Sequence, residues 1–98
     1  MILSFEEAGT EDVFNGRDTR SARQICPVRL RPVAVRKLDQ LDSAANLNDL
    51  RIPPGNRLER LAGDRSGQHS IRINARYRVC FVWSAAGPRN VEIVDYHR

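Results

Sequence analysis

The hydrophobic period of this chain changes at Pro53-Pro54-Gly55-Asn56, and no other feature limits the fold as much. Before that point, Ala34, Leu38, Leu41 and Ala45 recur at i, i+4, i+7 and i+11, one face of a helix with about 3.6 residues per turn. After it, HSIRIN (69–74) alternates, and YRVCFVW (77–83) and VEIVDYH (91–97) are dense in β-branched and aromatic residues, as strands are. Two prolines and a glycine cannot continue a helix, so the two halves meet sharply. Helices followed by strands predict an α+β fold, with N-terminal helices packed on one face of a small twisted antiparallel sheet. With 98 residues the chain is expected to form a single domain, residues 1–98.

The remaining elements follow from local signals. ILSF (2–5) reads as a short strand. EEAGTEDVFNG reads as a short helix ending at Gly16, with Thr10 as N-cap and Glu11 and Asp12 in the first turn. Residues 17–28 are polar and basic and read as irregular, with Pro27 breaking any helix. Pro32 suits the first turn of the main helix. Residues 46–56 read as a connector, RLERLA (57–62) as a strand, GDRSG (63–67) as a turn and SAAGPRN as a hairpin loop.

The register of the sheet is constrained by burial. A three-residue loop at 74–76 places Ile71 and Ile73 on one face with Tyr77, Val79, Phe81 and Trp83, and that apolar face meets the helices. Ser70, Arg72, Arg78 and Cys80 then share the opposite face. Arg72 and Arg78 are expected side by side, where like charges repel unless Glu59, Asp95 or a bound phosphate neutralises them.

Charge narrows the partner. Lys and Arg number 16 against 12 acidic residues, a net +4, and all the basic residues but Lys37 are Arg. Residues 1–18 sum to −4 and 19–36 to +5, so the surface is polarised towards an anionic partner. Arg offers a planar fork suited to phosphate. No apolar run approaches the roughly 20 residues of a membrane span, and MILSFEEAGTED lacks the basic start of a secretory signal. A cytoplasmic protein is expected. Cys26 and Cys80 lie far apart, with neither zinc nor redox spacing, and read as small core residues without a disulfide-linked partner.

No P-loop, G-x-S-x-G, H-E-x-x-H or metal-ligand cluster occurs, so neither a metal nor a cofactor is expected. Cleavage of RNA through its own 2′-hydroxyl needs a base, an acid and cations facing the phosphorus. His97 titrates near neutrality at the end of the chain, beside Asp95 and Tyr96. On a strand, Asp95 and His97 share a face and Tyr96 takes the other. His69 alternates with Ile71 and Ile73 and reads as a partly buried sheet residue; beside the turn, Gln68 and His69 are also RNA-contact candidates.

Two segments, GNRLERLAGDRSGQHSIRINARYRVCFVW (55–83) and NVEIVDYHR (90–98), resemble the HigB branch of the RelE/ParE toxin superfamily. The shared pattern is L-x-x-L-x-G-(D/N)-R-x-G, then S-I-R-I-N-x-x-(Y/W)-R-x-x-F, then V-x-x-V-D-Y-H. The resemblance implies helices on a small antiparallel sheet and the toxin half of a type II toxin–antitoxin pair. It implies a ribosome-dependent endoribonuclease acting on mRNA in the A site, and a HigA-type helix-turn-helix antitoxin as partner. By the same resemblance Asp95, Tyr96 and His97 match the catalytic tail, and Arg78 matches the residue facing the scissile phosphate. Arg65 and Arg72 become phosphate contacts.

The chain departs from that pattern at Leu58-Glu59-Arg60-Leu61-Ala62-Gly63, where HigB toxins commonly read L-H-P-L-K-G. Glu59 thus stands in for a His as base, and Arg60 or Arg65 for a Lys as cation. Two other readings are kept: a gyrase poison of the same fold, to which the D-Y-H tail is foreign, and a basic RNA-binding module without catalysis.

Overall fold

The computed structural model describes residues 1–96; the catalytic expectation placed on His97 lies outside the described residues. Three helices precede a four-stranded antiparallel sheet: α1 (Ala8–Phe14), α2 (Arg20–Ile25), α3 (Arg31–Ser43), β1 (Glu59–Arg60), β2 (His69–Arg72), β3 (Tyr77–Ser84) and β4 (Gly87–Asp95), in the order β1-β2-β3-β4. The helices pack on the sheet face that carries Ile71, Ile73, Val79, Phe81, Val91 and Ile93, and Ala34, Leu38 and Leu41 of α3 are buried against it. Among the described residues, no helix is long and apolar enough to cross a membrane.

The register is the one that burial requires. Ile71 pairs with Val79 and Arg72 with Arg78, leaving residues 74–76 as the loop. Asn74 shapes that loop, its Oδ1 accepting from the N–H groups of Arg76 (2.9 Å) and Tyr77 (2.7 Å).

Several local expectations are corrected. The N-cap of α1 is Glu7, whose carboxylate accepts from the Thr10 N–H at 2.8 Å. Thr10 is inside the helix and buried, its hydroxyl bonding Glu7 and accepting from the Ile93 N–H of β4 at 3.0 Å. Residues 17–28 are not irregular: Thr19 caps α2 by accepting from the Ala22 N–H at 3.0 Å. Gly9 lets α1 approach α2, since a Cβ there would lie 2.5 Å from the Ser21 carbonyl oxygen. Helix α3 ends before Ala45, which is exposed. The strand read over 57–62 shrinks to Glu59–Arg60.

The last hairpin turns at Ala85-Ala86, and β4 already begins at Gly87. Pro88 is tolerated there because its side of the strand faces away from β3, and its carbonyl accepts from Leu3 N–H at 2.8 Å. Between the pairs Cys80–Glu92 and Val82–Arg89 the register shifts by one residue, and Asn90, with φ +53°, absorbs it as a bulge. The N-terminal segment runs parallel to β4, bridging at Phe5 and Val91.

Candidate nucleic-acid site on the sheet

The sheet face turned away from the helices carries the charged residues, and strand register sets their positions. Arg78 lies opposite Arg72, and Glu59 lies opposite Ser70, one strand further out. Arg78 donates from Nη2 to Glu59 Oε1 at 2.9 Å and from Nη1 to Ser70 Oγ at 2.9 Å. Its side chain is only 11% exposed, so the fork is held on two sides before any ligand arrives. The Tyr96 ring lies on the same face, its centroid 5.6 Å from the Arg78 guanidinium.

Arg78, Glu59 and Arg72 line an open cleft of about 320 Å³ together with Arg57, Asn74 and Ala75. Among the described residues, neither Arg57 nor Arg72 forms a salt bridge. Among the described residues the lining therefore carries three arginines and one acidic side chain, Glu59, a balance that attracts anions. Arg57 was not singled out by sequence reasoning. Its backbone is left-handed, φ +45° and ψ +55°, which nothing in the composition signals.

Beside the cleft, Arg65 donates to Glu92 Oε1 at 2.7 Å and to Gln68 Oε1 at 3.1 Å. The hydrogen bond to Glu92 raises the Arg65 pKa. Arg65 and Gln68, both read as RNA contacts, are thus engaged with each other and with β4. Next to these pairs Ser70 and Cys80 are fully buried. Burial pushes the Cys80 thiol up to about 11, against an opposing pull from the Arg65 charge.

The remaining candidates lie elsewhere. Asp95 pairs with Tyr77 on the helix-side face, and Arg76 grips it with Nε at 2.7 Å and Nη2 at 2.8 Å. The structure therefore brings Tyr96 to Arg78 and not Asp95. His69 is also on the helix side, stacked on Phe81 with ring centroids 6.3 Å apart, its Nδ1 buried without a partner among the described residues. Burial, and then the Arg60 charge, lower its pKa. Arg60 is exposed on β1 opposite His69. Among the described residues no group of His, Cys, Asp and Glu side chains could hold a metal ion.

Comparison with known proteins agrees with this architecture. The family described as RelE-like toxin of type II toxin–antitoxin system HigB matches residues 3–97. Toxin HigB-1 of Vibrio cholerae is 42% identical over 83 residues, covering 85% of this chain and 84% of that protein. Among solved structures, the YoeB–YefM complex from Staphylococcus aureus aligns over 100% of this chain and 99% of the matched one, with a TM-score of 0.58 at 15% identity, a likeness of fold. On the family match over nearly its whole length, this chain belongs to the HigB-like toxins of type II toxin–antitoxin systems.

Proposed function

We propose that this toxin is an endoribonuclease that cuts mRNA in the ribosomal A site and so arrests translation. The observation that carries the reading is the cleft that Arg57, Arg72 and Arg78 line together with Glu59. An RNA phosphate entering the cleft meets the Arg78 fork, already oriented by Ser70 and Glu59. Glu59 then takes the proton of the 2′-hydroxyl. The 2′-oxygen attacks phosphorus, and the bond to the 5′-oxygen breaks to leave a 2′,3′-cyclic phosphate. His97 is assigned the proton donated to the departing 5′-oxygen. Arg78 and Arg72 neutralise the charge that builds on the phosphoryl oxygens.

Tyr96 orients the Arg78 guanidinium through its ring face. Asp95 acts from the other side of β4 as a positioning residue, since its ion pair with Arg76 anchors the strand just before the tail. The Arg65–Gln68–Glu92 group walls the neighbouring surface. Exposed Arg60 is left for ribosomal RNA, whose phosphates give a +4 chain an electrostatic reason to dock. The partner assigned is a HigA-type helix-turn-helix antitoxin, and the compartment is the cytoplasm.

Induction of the toxin without its antitoxin tests this reading in cells. The expected result is arrested protein synthesis with new 5′ ends inside translated messages. Double-strand DNA breaks with intact message would favour the gyrase reading instead. Unbroken message and normal translation would leave a binding module.

A further inference from the structure

Arg57 occupies a backbone conformation that an L-residue with a side chain adopts at a cost, directly beside the cleft. It closes the short turn Pro54–Asn56, its N–H donating to the Pro54 carbonyl at 3.1 Å. Gly or Asn would fill such a left-handed cap at lower cost. The turn itself is locked from below. Asn56 is fully buried: its Oδ1 accepts from Lys37 Nζ at 2.6 Å, and its Nδ2 donates to Gln40 Oε1 at 3.1 Å and to the Leu50 carbonyl at 3.2 Å. Helix α3 thus holds Arg57 at the rim while its exposed side chain forms no salt bridge among the described residues. A residue unfavourable to the backbone, fixed in place and with its charge unspent, is suited to an external anion.

We propose that Arg57 grips a phosphate of the substrate strand next to the one facing Arg78, with Asn56 as the positioning residue that aims it. The proposal rests on the nuclease reading of the cleft. The bound chemistry is a phosphodiester, which either the message or ribosomal RNA offers; the substrate strand is the source assigned.

The test uses a short single-stranded RNA made uncleavable by 2′-deoxy substitution, with affinity measured by fluorescence anisotropy across a salt series. The variant is Arg57→Asn, which removes the charge and tolerates the left-handed backbone, so its melting temperature should not fall. Its affinity should drop several-fold, and the slope of log affinity against log salt should shrink by about 0.7, one phosphate on a single strand. Arg57→Lys should restore most of the slope.

An unchanged slope in Arg57→Asn would overturn the assignment. So would loss of ribosome co-sedimentation at unchanged RNA affinity, which would move the contact to ribosomal RNA. If the unmodified toxin itself fails to bind the RNA at low salt, the cleft reading falls first, and Arg57 with it.

Discussion

Arg78 reaches across β2 to hold Glu59 on β1, Nη2 to Oε1 at 2.9 Å, so the base and the phosphate cation of the proposed reaction form one ion pair in the unbound protein. The pairing answers the like-charge contact of Arg72 and Arg78 across β2 and β3. In the proposed reaction a substrate phosphate shares the guanidinium with Glu59 before the carboxylate meets the 2′-hydroxyl.

Arg78→Ala is predicted to damage both fold and activity. It removes the Arg78 hydrogen bonds from the buried Ser70 hydroxyl and from Glu59, at a cost of about 1–3 kcal/mol. Denaturant unfolding checks that figure. Cleavage should fall below detection even below the unfolding midpoint. Arg78→Lys should recover most of the stability but little of the activity, because an ammonium cannot present a fork.

Asn56→Ala is predicted to cost about 2–3 kcal/mol, since Lys37 and the Leu50 carbonyl lose a buried partner together. Equilibrium unfolding measures it. A cost near zero would mean that water replaces the amide and that the turn is not locked by it.

These residues differ in how legible they were. The change of period at Pro53-Pro54 revealed the order of helices and strands, and two-sided burial specified the register, because a one-residue slip would have sent Ile71 and Ile73 to the charged face. Helix α2 escaped notice because it is only six residues long, with Ala22 buried and Ile25 half-buried, and two apolar positions make no stripe; only the Thr19 cap announces it. The start of β4 was hidden because Pro88 looks like a breaker until the strand's outer side is known. Glu59 was legible as one of the groups able to neutralise Arg78, and the sheet chose it over Asp95, which the register turns to the other face. Arg57 was not, since a left-handed backbone leaves no mark on composition.

Stability should rise with pH across the imidazole range. Burial lowers the His69 pKa below its ordinary value near 6.5. The unfolded chain therefore binds the proton first, so this stabilisation is complete above about pH 6.5 and is lost as pH falls towards the folded-state value. Urea unfolding at pH 5.5 and 7.5 measures the slope, and His69→Phe should flatten it. A slope unchanged by that variant would place the titration elsewhere.

The Cys80 thiol, raised to about 11 and fully buried, should resist iodoacetamide at pH 8 in the folded protein and react promptly in urea. Mass spectrometry of native and denatured samples separates the two. Rapid labelling of Cys80 in the native state would mean that the Arg65–Glu92 side of the sheet opens readily.

The nuclease claim is tested most directly with purified toxin on ribosomes programmed with a defined message, beside the same message naked, using the wild-type chain and Glu59→Gln. Glutamine keeps the shape of Glu59 and removes its basicity. Cuts are expected on the ribosome alone, with a rate about 100- to 10,000-fold lower in Glu59→Gln, measured below a melting temperature that the lost charge of the Arg78 pair lowers. Cleavage by Glu59→Gln at the wild-type rate would remove Glu59 from the chemistry, and an intact message with the wild-type toxin would contradict the nuclease reading altogether.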